Sequence, residues 1–157
     1  MGRKSTKENK SEYQIARESA GLTREAAGEK MIFVTSDKIE KIENGRSSLH
    51  PEDVMAMAEC YEAPELKNYF CTHECPIGQK HVQEVKPKEL SQIVLDLLAS
   101  INRLSKEKER LVEITVDGEI TEEEYEDFDR IISELKIMKL SADTLQLWLE
   151  KKKLRLD

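Results

Sequence analysis

Cys71, His73 and Cys75, with His81 six residues further on, bring two thiols and two imidazoles close together in the chain. Soft sulfur and imidazole suit zinc. Their spacing is not that of a common finger or ribbon, however, and no second cysteine pair exists; the remaining Cys60 reads as core. A turn whose cysteines pack as small hydrophobes, with His73 satisfying a backbone group, accounts for the same residues. We therefore expect no resident metal and no cofactor. Glu113 to Glu124 partly follows a calcium loop, with Asp117, Gly118, Ile120 and Glu124 at matching offsets. Thr115 stands where a strong ligand is usual, and Glu113 replaces the first aspartate. A turn at Asp117-Gly118, followed by a capping box of Thr121 and Glu124, explains more. Residues 117–129 carry eight acids and no base, which reads as a solvated helix start rather than a surface for a basic partner. No phosphate-binding glycine loop, nucleophile elbow or His-Glu-x-x-His is present, so no enzyme is expected.

The elements that must position these residues are helical. In 157 residues, 38% are hydrophobic, 36% charged and only 5% aromatic. That balance fits small cores between helices with solvated faces and argues against a sandwich or barrel. No apolar run approaches the roughly 18 residues of a membrane span. The N-terminus lacks the apolar core of a secretory signal, and three cysteines suit a reducing compartment. A cytoplasmic protein with no membrane partner is expected. The net charge of -7 is unevenly spread: +2 over residues 1–50, -4 over 51–86 and -5 over 87–157. A basic arm over residues 1–11 suits an approach to phosphate.

Residues 12–70 read as short amphipathic helices. Gly21 and Gly45 stop two of them, and Pro51 opens another with Glu52 and Asp53 in its first turn. Thr23 and Thr35 are suitable N-caps, each preceded by an apolar Leu22 or Val34. Gly28 lets the second helix approach a neighbour closely. Ile39 and Ile42 set the buried face of the third helix, leaving Ser36, Asp37, Lys38, Lys41 and Asn44 outward. Residues 71–87, with Pro76, Gly78 and Pro87, read as a connector, partly extended. Residues 88–157 then read as a long antiparallel helical hairpin broken at Asp117-Gly118. Leu90, Val94, Leu97, Ile101 and Leu104 form a 4-3-4-3 seam in its first arm. Phe128, Ile132, Leu135, Met138, Ala142, Leu145 and Leu149 form the stripe of the second.

The segments Ile15–Thr23, Glu25–Met31 and above all Ile39-Glu40-Lys41-Ile42-Glu43-Asn44-Gly45-Arg46 resemble the Cro and lambda-repressor-like family of helix-turn-helix DNA-binding domains. The resemblance covers roughly residues 12–70. It implies an all-α chain: a five-helix DNA-binding head with Thr35–Asn44 as recognition helix, followed by the hairpin. By the same resemblance Ser36, Asp37 and Lys41 face base edges of double-stranded DNA. Arg24, Thr35, Asn44 and Arg46 meet phosphates, and Arg17 and Glu43 form an internal ion pair. Phe70-Cys71-Thr72-His73-Glu74-Cys75-Pro76-Ile77-Gly78 is similar to a stretch that follows such heads in some bacterial regulators. Two departures stand out. Ile32-Phe33-Val34 replaces the family's glycine turn with one residue more, and the recognition helix is nearly neutral because Asp37 and Glu40 stand beside Lys38 and Lys41.

The expected function is a sequence-specific transcriptional regulator acting as a homodimer through residues 88–153. Ile93, Leu98, Ile131, Ile137, Leu140, Leu147 and Trp148 widen the apolar faces beyond what one hairpin seam covers. The competing class is a protein-interaction module that keeps the helix-turn-helix fold but binds a protein rather than DNA. Lys41 and Arg46 favour the first, Asp37 and Glu40 the second.

Overall fold

Hydroxyl caps start the first three helices. Ser11 Oγ accepts the Gln14 amide ahead of α1 (Glu12–Ser19), Thr23 Oγ1 that of Ala26 ahead of α2 (Arg24–Lys30), and Thr35 Oγ1 that of Lys38 ahead of α3 (Ser36–Glu43). Pro51 opens α4 (Pro51–Cys60), where the Asp53 carboxylate accepts the His50 amide. α5 (Glu65–His73) and the one-turn α6 (Gly78–His81) follow, then the long α7 (Leu90–Thr115) and α8 (Tyr125–Lys151). The computed structural model describes residues 9–153, and no strand occurs among them. Most of the basic arm read at residues 1–11 lies outside the described residues. The chain divides into two compact units between Glu84 and Val85.

In the first unit Ile39 and Ile42 of α3 are buried with Val34, Ala27, Val54, Met57 and Leu66 in one core. Gly28 is needed for this. A Cβ there would stand 2.8 Å from the Ser36 amide nitrogen, so any side chain pushes α2 off the start of α3.

The stretch expected as a connector, residues 71–87, carries helix in its first part and none after His81. Cys71 to His73 continue α5, and α6 turns back over it: Gly78 is buried so tightly that a Cβ would overlap the Cys71 carbonyl. Tyr13 Oη donates to Glu74 Oε1 at 3.0 Å, and Asn68 Nδ2 donates to the Gln83 carbonyl at 2.9 Å. These bonds fasten residues 71–84 to the first unit rather than leaving them as a tether.

In the second unit α7 and α8 pack as the antiparallel pair expected, but in another register. The buried positions of α7 are Ile93, Ser100 and Ile114, with Leu97, Leu104 and Leu111 half-buried between them. That row still runs at 4-3 spacing. Leu90, Val94 and Ile101, expected in the seam, are exposed. On α8 the buried residues are Ile131, Ser141, Thr144 and Leu147, while Leu135 and Ala142 of the expected stripe are exposed. The displacement has a cause: three of the inward residues carry hydroxyls. Ser100, Ser141 and Thr144 can be buried because each hydroxyl donates to a carbonyl one turn back, Asp96, Ile137 and Leu140 respectively.

Ion pairs confirm the register between the arms. Arg103 meets Glu134, Glu107 meets Arg130 and Arg110 meets Asp127. Steps of four and three up α7 match the same steps down α8. The turn contains Gly118 at φ +77°. Thr121 donates from its amide and hydroxyl to Glu124 Oε2 at 3.1 and 2.9 Å, but α8 starts only at Tyr125, so this box closes a turn before the helix.

Candidate nucleic-acid interface

α3 buries Ile39, Ile42 and Glu43 and turns its remaining residues outward. Asp37, Glu40 and Lys41 are exposed, and Ser36 is half-buried at the first turn. Thr35 is exposed at the N-cap. At the other end Asn44 Nδ2 donates to the Glu40 carbonyl at 2.8 Å, closing the last turn. Gly45 follows at φ +65° and carries the chain to the exposed Arg46. Of the residues read as outward, Lys38 behaves differently. Its ammonium folds back to Asp53 Oδ1 at 2.6 Å, and the Asp53 side chain is only 3% exposed. In the sequence Asp53 has the place of a first-turn acid favoured by the helix dipole, and nothing more. A one-dimensional pattern gives no signal for a partner fifteen positions away.

A second buried carboxylate organises the opposite end of α3. Glu43 Oε1 accepts from Arg17 Nε at 2.6 Å, and its Oε2 accepts from Arg17 Nη2 at 3.1 Å and from Arg24 Nε at 2.8 Å. Arg17 Nη1 also donates to the Leu22 carbonyl at 2.7 Å. Burial alone would lower the Arg17 pKa, but the hydrogen bond and charge of Glu43 outweigh it and hold the guanidinium above its ordinary value. The resemblance paired Arg17 with Glu43 and sent Arg24 to phosphate. The structure brings all three side chains together, and the Arg24 link had no sequence signal.

Between α2 and α3 the chain passes through Met31-Ile32-Phe33-Val34. Met31 and Val34 are buried, whereas Ile32 is 99% exposed and Phe33 is exposed. The extra residue relative to a glycine turn is thus absorbed by an apolar tip, anchored on both sides.

Residues 14–67 match the family model of a helix-turn-helix domain. The match runs from α1 into α5, about a third of the chain. Comparison with curated proteins and with solved structures finds no match. Within the matched segment α2 and α3 approach closely at Gly28, and α3 presents the outward polar face. Cys71, His73, Cys75 and His81 lie beyond the matched segment. Cys75 Sγ accepts the Gly78 amide at 3.4 Å. His73 stacks on Tyr69 at 4.4 Å, with Nδ1 at 3.1 Å from the Tyr69 carbonyl. Among the described residues no three His, Cys, Asp or Glu side chains are grouped to hold a metal ion. No helix of the described residues is long and apolar enough to cross a membrane.

Proposed function

We propose that this chain is a sequence-specific, DNA-binding transcriptional regulator that acts as a cytoplasmic homodimer. The observation that carries the reading is the α2–turn–α3 unit within the matched domain. Its second helix rests on Ile39 and Ile42 and leaves a polar face free for a major groove. Ser36, Asp37 and Lys41 face base edges, where an acid accepts from a cytosine amino group and a lysine donates to guanine. Arg24, Thr35, Asn44 and Arg46 hold phosphates and fix the register.

One head makes few contacts, so affinity calls for two. Leu90, Val94, Leu98 and Ile101 on α7, with Leu135 and Ile137 on α8, are exposed apolar residues. Pairing with a second hairpin covers them with no new structure. Two heads about a two-fold axis then read half-sites about 34 Å, or a multiple, apart. Sedimentation equilibrium at micromolar concentration tests this part. Twice the monomer mass of 18.1 kDa is expected, and a mass that stays at the monomer value on concentrating overturns the dimer.

Selection from random oligonucleotides followed by gel shift at low salt tests the DNA reading. Lys41→Ala should change the preferred sequence, while Arg46→Ala should weaken binding to every duplex. A second reading is favoured by one observation: Lys38 is engaged by Asp53, and Asp37 and Glu40 balance Lys41 and Arg46. If no duplex is retarded at low salt, the domain is a protein-interaction module.

A further inference from the structure

Arg24 has two edges with different fates. Its Nε–H points inward to Glu43 Oε2 at 2.8 Å, onto a carboxylate whose side chain is wholly buried. Its terminal amino groups meet no hydrogen-bond partner among the described residues, and the side chain is 32% exposed. A guanidinium is planar, so the Nε–H bond to a held acceptor restricts the plane and leaves the Nη pair as a fork for a further acceptor. Such a fork matches the two oxygens of a phosphate. Glu43 cannot swing away to release it, because Arg17 holds both carboxylate oxygens through Nε and Nη2. The carboxylate therefore serves two cations at once, one structural and one directed outward.

We propose that Glu43 is a positioning residue for the phosphate contact of Arg24: the buried carboxylate sets the arginine fork before DNA arrives. The proposal rests on the regulator reading above and assigns to Glu43 a role beyond the internal pair. The ordering cost of a long side chain is then met in folding, not in binding. Arg24 differs in this from Lys38, whose ammonium is itself the group bonded to a buried acid.

The experiment measures affinity of the full chain for one selected duplex between about 50 and 200 mM salt, where each neutralised phosphate contributes about 0.9 to the log–log slope. Arg24→Gln should flatten the slope by about 0.9, roughly a threefold smaller loss of affinity across that range. Glu43→Gln keeps the charge of Arg24 yet should flatten the slope by most of that amount, and the double variant should go no further than Arg24→Gln. A Glu43→Gln protein with a lower melting temperature but the wild-type slope would make Glu43 structural only. So would a wild-type slope in Arg24→Gln, with DNA binding itself intact. Should Glu43→Gln fail to fold, the wild-type protein decides through the Arg24 Nε–H resonance. That proton should be slow to exchange in the free chain and remain so in the complex, whereas its loss on adding duplex would show that Glu43 lets go. If the wild-type chain retards no duplex, the regulator reading falls first and this one with it.

Discussion

The helix-turn-helix unit and the hairpin are both helical and both rich in charge, yet they place their ion pairs on opposite sides of the protein–water boundary. In the first unit the acids are inside: Glu43 and Asp53 have side chains 0% and 3% exposed, and basic residues reach in to them. In the hairpin Arg103 is 47% exposed, and the pairs lie along the outside of the α7–α8 seam. A buried carboxylate with its partners in place penalises any packing of the helices that would leave it unpaired. An exposed pair adds little energy but still prefers one register to its neighbours. The first unit thus obtains specificity from the inside. The hairpin depends on a narrow apolar row interrupted by Ser100, Ser141 and Thr144, with exposed pairs marking the alignment.

The largest effect should come from Glu43→Ala. It strands the Arg17 guanidinium in the interior, and removing one partner of a buried pair costs about 3–5 kcal/mol. Hydrogen exchange at the Ile39 and Ile42 amides should report that loss. A cost under about 1 kcal/mol would put this pair in the same class as those of the hairpin and remove the contrast.

Next in size is a pair of substitutions within the hairpin. Ile114 is fully buried and Ile101 is exposed. Ile114→Ala should cost about 2–5 kcal/mol in urea unfolding. Ile101→Ala should cost the hairpin fold far less while weakening self-association in sedimentation. Equal costs to the fold would return Ile101 to the internal seam, where its spacing first placed it.

The same contrast predicts opposite pH limits. Burial first, then the charge of Glu74 and its hydrogen bond, pushes the Tyr13 pKa far above its ordinary 10.0. Burial, then the charge of Glu43, does the same for Tyr61. A phenol whose folded pKa is raised contributes stability that is complete below 10 and is lost as pH rises beyond it. The first unit should therefore loosen in alkali. In the hairpin, hydrogen bonds from Lys88 and then Gln92 lower the pKa of Asp96, and those from Arg110 and then Arg130 lower that of Asp127. Depressed carboxylates contribute above the unfolded value of 3.8 and lose that contribution as pH falls through the folded one, so the hairpin should weaken in acid. Glu18, held low by Lys10 and then Gln14, and Glu25, held low by its own backbone amide and then Thr23, give the first unit acid sensitivity of the same sign. Circular dichroism from about pH 3 to 11, which enters both ranges, checks the order: Tyr13→Phe should raise the alkaline limit only. A first unit unchanged by alkali would mean that its buried phenols carry no linkage.

Much of the head was legible because its signals are local. Thr23 and Thr35 cap within three residues, Gly28 marks a close approach, and Ile39 and Ile42 lie one turn apart. The hairpin register was hidden because Ser100, Ser141 and Thr144 read as solvent-facing residues, whereas each satisfies its hydroxyl on its own helix and can be buried. The site was legible only as far as its helix. That Lys38 and Arg24 answer to Asp53 and Glu43 depends on tertiary packing across fifteen and nineteen positions. No spacing rule reaches so far. The packing of residues 71–84 on the first unit was hidden for a related reason. Pro76 and Gly78 break periodicity, but the Gly78 backbone packs on Cys71, where no side chain could stand.

The smallest effect concerns the exposed pair of Arg103 and Glu134, 2.6 Å apart. Arg103 also donates from Nη2 to Ser100 Oγ at 3.4 Å, a long bond that Arg103→Ala removes together with the pair. A double-mutant cycle with Glu134→Ala separates the two, since only the pair term is common to both single variants. That term should be about 0.2–1 kcal/mol, because both partners stay partly hydrated and two long side chains must be ordered to meet. It should shrink towards zero at about 1 M salt, where screening acts over about 3 Å. Exchanging the two residues, Arg103→Glu with Glu134→Arg, should restore the coupling, because the arms keep the same alignment. Combining Arg103→Glu with Asp127→Arg should not, because Asp127 faces Arg110 two turns along α7. Coupling in that mismatched combination would mean that the arms slide, and the exposed pairs would no longer mark the register.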